Sequence, residues 1–207
     1  MKLCKSYRST YEITEFARNI QANDELEPVA RHAEPLLILR FGCAEDEISG
    51  IADLINAFKA SDRKSLGIVC KTESQAKGIS ERLKACTDGV CFLSSRGHTF
   101  VQGIVVTSAH MAKGLEFDEV IVPRVDNETY CSRMDRGMLY VAVTRVVHEL
   151  TLTYNGEVSG LSPRFPGKNE HDKMACFYLF KSKIRTSENL FLSFRQRKKD
   201  VCRDLSG

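Results

Sequence analysis

The sequence predicts an α/β fold, a mostly parallel sheet with helices on both faces. Three observations carry that prediction. Short β-branched or aliphatic runs alternate with longer amphipathic segments from residue 36 to residue 154. The runs 65–70, 103–107 and 119–124 are mostly apolar, as strands buried on both faces are. Strand–helix alternation of this kind favours right-handed βαβ crossovers and a parallel sheet.

In chain order, residues 10–22 form an amphipathic helix with Ile13, Phe16, Ala17 and Ile20 on one face, and Ser9 or Thr10 is the cap candidate. Residues 21–35 are polar and hold two prolines, which predicts a surface connection. A strand at 36–41 precedes a helix at 45–61 whose buried stripe is Ile48, Ile51, Ala52, Ile55 and Phe58. After the strand at 65–70, Thr72 caps a helix running to about Cys86, with Ile79 and Leu83 facing inward. A short strand at 90–93 and a turn at 94–100 lead into the strand at 103–107, and a turn containing Gly114 joins it to the strand at 119–124. Along the helix at 135–145, Leu139, Val143 and Val146 form the core face, while Arg136, Tyr140 and Thr144 make a second row at i, i+4 and i+8. The last strand is 149–154. Gly, Ser and Pro between 156 and 169 mark a boundary, giving a domain at 1–160 and a tail at 161–207.

Composition narrows the function classes. With 43% hydrophobic and 28% charged residues in a chain of 207, a normal core is available and a disordered majority is excluded. The longest aliphatic run, 36–39, falls far short of the roughly 18 residues of a membrane span, so no membrane partner is expected. Charges at Lys2, Lys5, Arg8, Glu12 and Glu15 interrupt any signal-peptide core, which predicts a cytoplasmic location. The eight cysteines form no C-x-x-C pair. Cys70 reads as core packing, and Cys86 with Cys91 is only a weak hint of metal, so no metal site is expected. Residues 164–207 carry eleven Lys or Arg against five Asp or Glu, so a basic tail follows a near-neutral domain. That asymmetry suggests a polyanionic partner, although a solvated helical face produces the same pattern. Apolar patches at 174–180 and 190–194 read as two short helices or a partner-binding segment; aromatic interleaving of this kind can stack nucleic-acid bases, although packing is the commoner role for Phe177 and Phe191.

The residues with chemistry cluster late in the chain. Gly114, after a buried strand, permits a tight turn or a close backbone approach to a ligand, and the Glu116 carboxylate could accept hydrogen bonds from a sugar hydroxyl pair. An ordinary loop explains both equally well. At the end of the last helix, Arg145 offers a fixed fork of donors suited to a phosphate. No phosphate-binding loop G-x-x-x-x-G-K-[ST] is present. The nearest imitation is Gly167-Lys168, with Ser162 where the first glycine belongs and Asn169 where the hydroxyl belongs. ATP hydrolysis by this chain alone is therefore not expected.

Three ordered stretches resemble the superfamily 1 helicases related to UvrD and Rep. Ser6-Tyr7-Arg8-Ser9-Thr10 is similar to motif IV, Ser108-x-His110-x-x-Lys113-Gly114-Leu115-Glu116-Phe117 to motif V, and Leu139-Tyr140-Val141-Ala142-Val143-Thr144-Arg145 to motif VI. Lys5 to Thr10 together with Pro28-Val29-Ala30-Arg31-His32 resembles the HelD-type branch most. The resemblance runs from about Leu3 to Pro163 and implies a second RecA-like motor domain: the C-terminal half of an ATP-dependent DNA helicase or translocase. It implies that Tyr7 stacks on adenine, that Arg8 and Arg145 reach the γ-phosphate as catalytic groups, and that Glu116 binds the ribose beside Gly114. Ser108 and His110 then contact single-stranded DNA, Lys113 meets the nucleotide or a neighbouring loop, and Arg136 and Tyr140 support the site. ATP with Mg²⁺ is shared with a first RecA-like motor domain, which carries the phosphate loop in this family. HelD-type relatives act on RNA polymerase, which makes a polymerase a candidate partner. Ser6 stands where UvrD and Rep relatives have asparagine and Ser108 where they have threonine, and little room remains for the insertion that accompanies strand separation there. The alternative is a non-catalytic module binding nucleic acid or RNA polymerase. An unrelated nucleotide-binding α/β protein is a third reading, tested by whether Arg8 and Arg145 converge.

Overall fold

The computed structural model describes residues 5–6, 11–20, 27–28, 36–95 and 103–155. Tyr7, Arg8, the cap candidates Ser9 and Thr10, and the whole tail 161–207 lie outside the described residues. The elements in order are β1 (Lys5–Ser6), α1 (Tyr11–Ile20), β2 (Glu27–Pro28), β3 (Leu37–Phe41), α2 (Ala44–Lys59), β4 (Ser65–Cys70), α3 (Glu73–Cys86), β5 (Val90–Phe92), β6 (Gly103–Ser108), β7 (Phe117–Val122), α4 (Arg133–Val143) and β8 (Val146–Asn155).

β1 and β2 pair in parallel as a short two-stranded sheet. The other six form one sheet in the order β3-β8-β7-β4-β6-β5, and every pairing in it is parallel. Centrally placed β4 shows why the sequence runs are apolar throughout. Leu66, Ile68 and Cys70 point to one face, where they pack with Ile48, Ile51, Ile55 and Phe58 of α2 and Ile79 and Leu83 of α3. Gly67 points to the other face, where the Phe117 ring lies against it. On that second side α1 packs on α4, burying Ile13, Phe16, Ala17 and Ile20 of the one and Leu139, Ala142 and Val143 of the other. The apolar faces expected for all four helices are those buried, and Cys70 is fully buried as expected.

Three elements near the chemistry-bearing stretches differ in their bounds from the sequence reading. The last strand, expected at 149–154, begins at Val146, and α4 ends at Val143, so Val146, expected on the core face of the helix, is instead the first residue of β8. The strand expected at 119–124 is Phe117–Val122, because Pro123 follows and Arg124 adopts a left-handed backbone, φ 57°, that no strand can include. The helix expected from Asp135 begins at Arg133, since Ser132 caps it: the Ser132 hydroxyl accepts from the Asp135 amide and the Asp135 carboxylate accepts from the Ser132 amide.

Candidate functional site

The turn after β6 links the two edges of the sheet. Ser108 is level with Cys70 at the carboxyl edge, yet β7 runs parallel to β4, so the chain must return to the amino edge before Phe117. At about 3.3 Å per residue, the six-residue β6 separates those edges by about 17 Å. The descent is compact. Ala109 N donates to Cys70 O at 2.7 Å, Ala112 N to Ser108 O at 2.9 Å and Leu115 N to Ala112 O at 3.0 Å. Gly114 takes φ 86°, a conformation that disfavours a side chain. Ligands of parallel sheets gather at the carboxyl ends of the strands; Ser108 and His110 stand at that edge, whereas Glu116 stands one residue before β7 at the amino edge.

Exposure differs among these candidates. Ser108 is buried, and its hydroxyl accepts from Met111 N at 3.4 Å. His110, Lys113, Gly114 and Glu116 are exposed. Nothing lies within 4 Å of where a Gly114 Cβ would be, so the backbone there is open to approach.

α4 carries the chain back down to Arg145, immediately before β8. Phe117 N donates to Arg145 O at 2.9 Å, which joins the end of the turn to the end of the helix. Glu116 and Arg145 are thereby brought to the same edge. The half-buried Arg145 side chain folds onto the helix end: Nε donates to Val141 O at 3.2 Å and Nη2 to Thr144 Oγ1 at 3.2 Å. Tyr140 is half-buried and Arg136 exposed. Beside them at the amino edge, Asp118 accepts from Lys64 N at 2.8 Å and from Ser65 N at 3.1 Å. Burial raises the Asp118 carboxyl, but these bonds, the Ser65 hydroxyl and nearby His148 outweigh it and leave it below its usual range.

At the opposite edge, β4 and β7 are neighbours whose following helices leave in opposite directions, to β5 and to β8. Such a switch point opens a crevice. A cavity of about 370 Å³ lies there, lined by Lys71, Thr72, Gln75, Arg124, Glu128 and Thr129. Lys71 Nζ is held by Asp135 Oδ1 at 2.6 Å and Thr129 O at 2.6 Å, with the Tyr130 ring centroid 5.9 Å away. Burial alone raises the Asp135 carboxyl, but Lys71, Ser132 and Cys131 outweigh it and hold it well below the usual carboxylate range. Burial and the nearby acidic groups push the Tyr130 hydroxyl well above its ordinary value.

Sequence reasoning missed this crevice. Ser132-x-x-Asp135 was a readable capping box, but the Lys71–Asp135 pair joins residues 64 positions apart and left no local pattern. Among the described residues no three metal-ligating side chains converge, and no helix is long and apolar enough to cross a membrane. The five described cysteines are free, with Cys86 exposed and Cys91 half-buried.

Residues 103–153 match the family described as UvrD-like helicase C-terminal domain. The crystal structure of the C-terminal domain of a possible DNA helicase from Lactobacillus plantarum WCFS1 is 30% identical, at a TM-score of 0.66 over 80% of this chain and 96% of that one. The chain belongs to the UvrD-like helicase C-terminal domains. No curated protein matches it. The fold of this helicase domain is therefore the RecA-like α/β architecture that the sequence resemblance implied. The family match runs from the start of β6 through most of β8, so it contains both the Ser108–Glu116 turn and the Arg145 helix. These likenesses carry the family and not the HelD-type branch.

Proposed function

We propose that this domain is the second motor half of an ATP-dependent DNA helicase or translocase, completing an ATP site that a first RecA-like domain begins. The observation that carries the reading is the hydrogen bond between Phe117 N and Arg145 O, which sets Glu116 and Arg145 at one edge of the sheet. An exposed carboxylate suits ribose hydroxyls, and a guanidinium suits a phosphoryl group. The open backbone at Gly114 fits close approach of a nucleotide. Bound ATP with Mg²⁺ would supply the transferable phosphoryl group. Arg145, joined by Arg8 and with Tyr7 on the adenine, would offset charge on its oxygens. Single-stranded DNA would cross the carboxyl edge, with exposed His110 as the direct contact and buried Ser108 shaping the turn.

A second reading rests on the basic tail, where eleven Lys or Arg face five Asp or Glu over residues 164–207. In it the domain docks on nucleic acid or RNA polymerase, as the HelD-type wording near the N-terminus suggests, without turning over ATP.

The test is ATPase activity of the chain alone and mixed with the first motor domain of a UvrD-like helicase, with and without single-stranded DNA. Activity only in the mixture, lowered on the order of 10³-fold by Arg145→Ala, supports the motor reading. Hydrolysis by the chain alone defeats it. Silence in both samples, with DNA or polymerase still bound, favours the docking module.

A further inference from the structure

The end of α4 contains a closed cycle of hydrogen bonds around Arg145. The Thr144 hydroxyl donates to Val141 O at 3.1 Å, Arg145 Nη2 donates to Thr144 Oγ1 at 3.2 Å, and Arg145 Nε donates to Val141 O at 3.2 Å. Val141 O belongs to the last turn of α4, where carbonyls lack helical partners and the helix dipole is negative. A cation is held there for two reasons at once. Thr144 is itself the C-cap residue, with its amide bonded to Tyr140 O at 3.0 Å, so the hydroxyl that completes the cycle is anchored by the backbone.

The cycle consumes one particular side of the guanidinium. Nε–H and the adjacent N–H of Nη2 form the side-on edge, and both point into the chain's own helix end. The opposite, end-on edge, made by Nη1 and the outer N–H of Nη2, is left for another acceptor. Among the described residues no Asp or Glu forms an ion pair with Arg145. Because the planar fork is fixed on one side, its other side is fixed in direction too. Donors already aimed cost no reorganisation when charge develops opposite them.

We infer that Thr144 is the positioning residue for Arg145: through its hydroxyl it locks the guanidinium so that the end-on edge faces a phosphoryl group of a nucleotide. The inference rests on the reading of Arg145 as the phosphate-facing group. A valine has almost the same shape at position 144 but cannot accept from Nη2, so the guanidinium would pivot about its remaining bond to Val141. A serine keeps the hydroxyl and keeps the lock.

The test uses the full ¹⁵N-labelled chain and the Arg145 Nε–H resonance, assigned by its loss in Arg145→Lys. In Thr144→Val, solvent exchange of that proton is expected to speed up about tenfold, the size expected for one lost hydrogen bond; Thr144→Ser should exchange like the natural chain. Backbone amide spectra report whether the fold is kept, and Thr144→Ala replaces the valine variant if it is not. Unchanged exchange in Thr144→Val, or equal acceleration in Thr144→Ser, overturns the inference. In the mixture with a first motor domain, Thr144→Val should lower kcat for ATP with KM unchanged, and Thr144→Ser should restore it. If Arg145→Ala leaves that ATPase intact, the motor reading fails, while the exchange experiment still decides whether Thr144 positions Arg145.

Discussion

The amide of Phe117 donates to the carbonyl of Arg145 at 2.9 Å, so the turn after β6 and the end of α4 meet through their backbones. A distortion in the turn should therefore reach the arginine. Gly114 is the place to introduce one, since φ 86° costs an L side chain about 1–2 kcal/mol. Gly114→Ala should lower stability by about that amount in urea unfolding and shift the amide signals of both Phe117 and Arg145. A stability loss with no change at Arg145 would show that the two segments are not coupled.

The second face of the sheet depends on a missing side chain. A Cβ on Gly67 would lie 2.5 Å from Cδ2 of the Phe117 ring, well inside contact distance. Neither the strand, buried on both faces, nor the ring, fully buried, has room to retreat. Gly67→Ala should therefore cost about 1–3 kcal/mol, the usual range for overpacking a core. Adding Phe117→Leu should recover part of that loss, because the two changes share one space. Strictly additive losses in the double variant would mean that the ring is not the obstacle.

The Lys71–Asp135 pair gives the domain a predictable response to acid. Burial would raise the Asp135 carboxyl, but the Lys71 ammonium and the bonds from Ser132 and Cys131 leave its folded pKa below the unfolded value near 3.9. A depressed folded pKa means that the unfolded state binds the proton more readily. The stabilisation is thus complete above about pH 4 and is lost as pH falls further, towards the folded pKa. Lys71→Met should flatten this acid limb and cost about 3 kcal/mol at neutral pH, as breaking a mostly buried pair does. Unfolding midpoints from pH 7 down to pH 2 would check both, and an acid limb equally steep in the variant would place its origin elsewhere.

What could be read from the sequence follows from how local each cause is. Ile48, Ile51, Ile55 and Phe58 repeat at helical spacing within one segment, and all four are buried where expected. The Ser108–Glu116 and Leu139–Arg145 stretches were legible for the same reason, being short and continuous. Their division between two edges was not legible. It follows from β6 and β7 both pairing in parallel with β4, a strand 33 or more positions earlier in the chain, which no pattern within residues 103–122 encodes. Arg124 is a similar case: its left-handed backbone is stabilised from 77 positions away, by Glu47.

Glu47 makes that last dependence measurable. It is buried on α2, and Oε1 accepts from Arg124 N at 2.9 Å and Thr153 Oγ1 at 2.5 Å, while Oε2 accepts from Asn155 Nδ2 at 2.6 Å. One carboxylate thus ties α2 to the end of β8 and to the loop that lines the crevice. Glu47→Ala leaves these donors without an acceptor, at about 1–3 kcal/mol for each that stays buried and unpaired. Glu47→Gln should be far milder. Its amide oxygen can keep the Arg124 and Thr153 bonds, and Asn155 can turn its own amide to accept from the new NH₂ group. Expected stability therefore runs natural chain, Glu47→Gln, Glu47→Ala, with faster hydrogen exchange at the Arg124 amide only in the alanine variant. If glutamine proves as damaging as alanine, the negative charge rather than its acceptor geometry holds the loop.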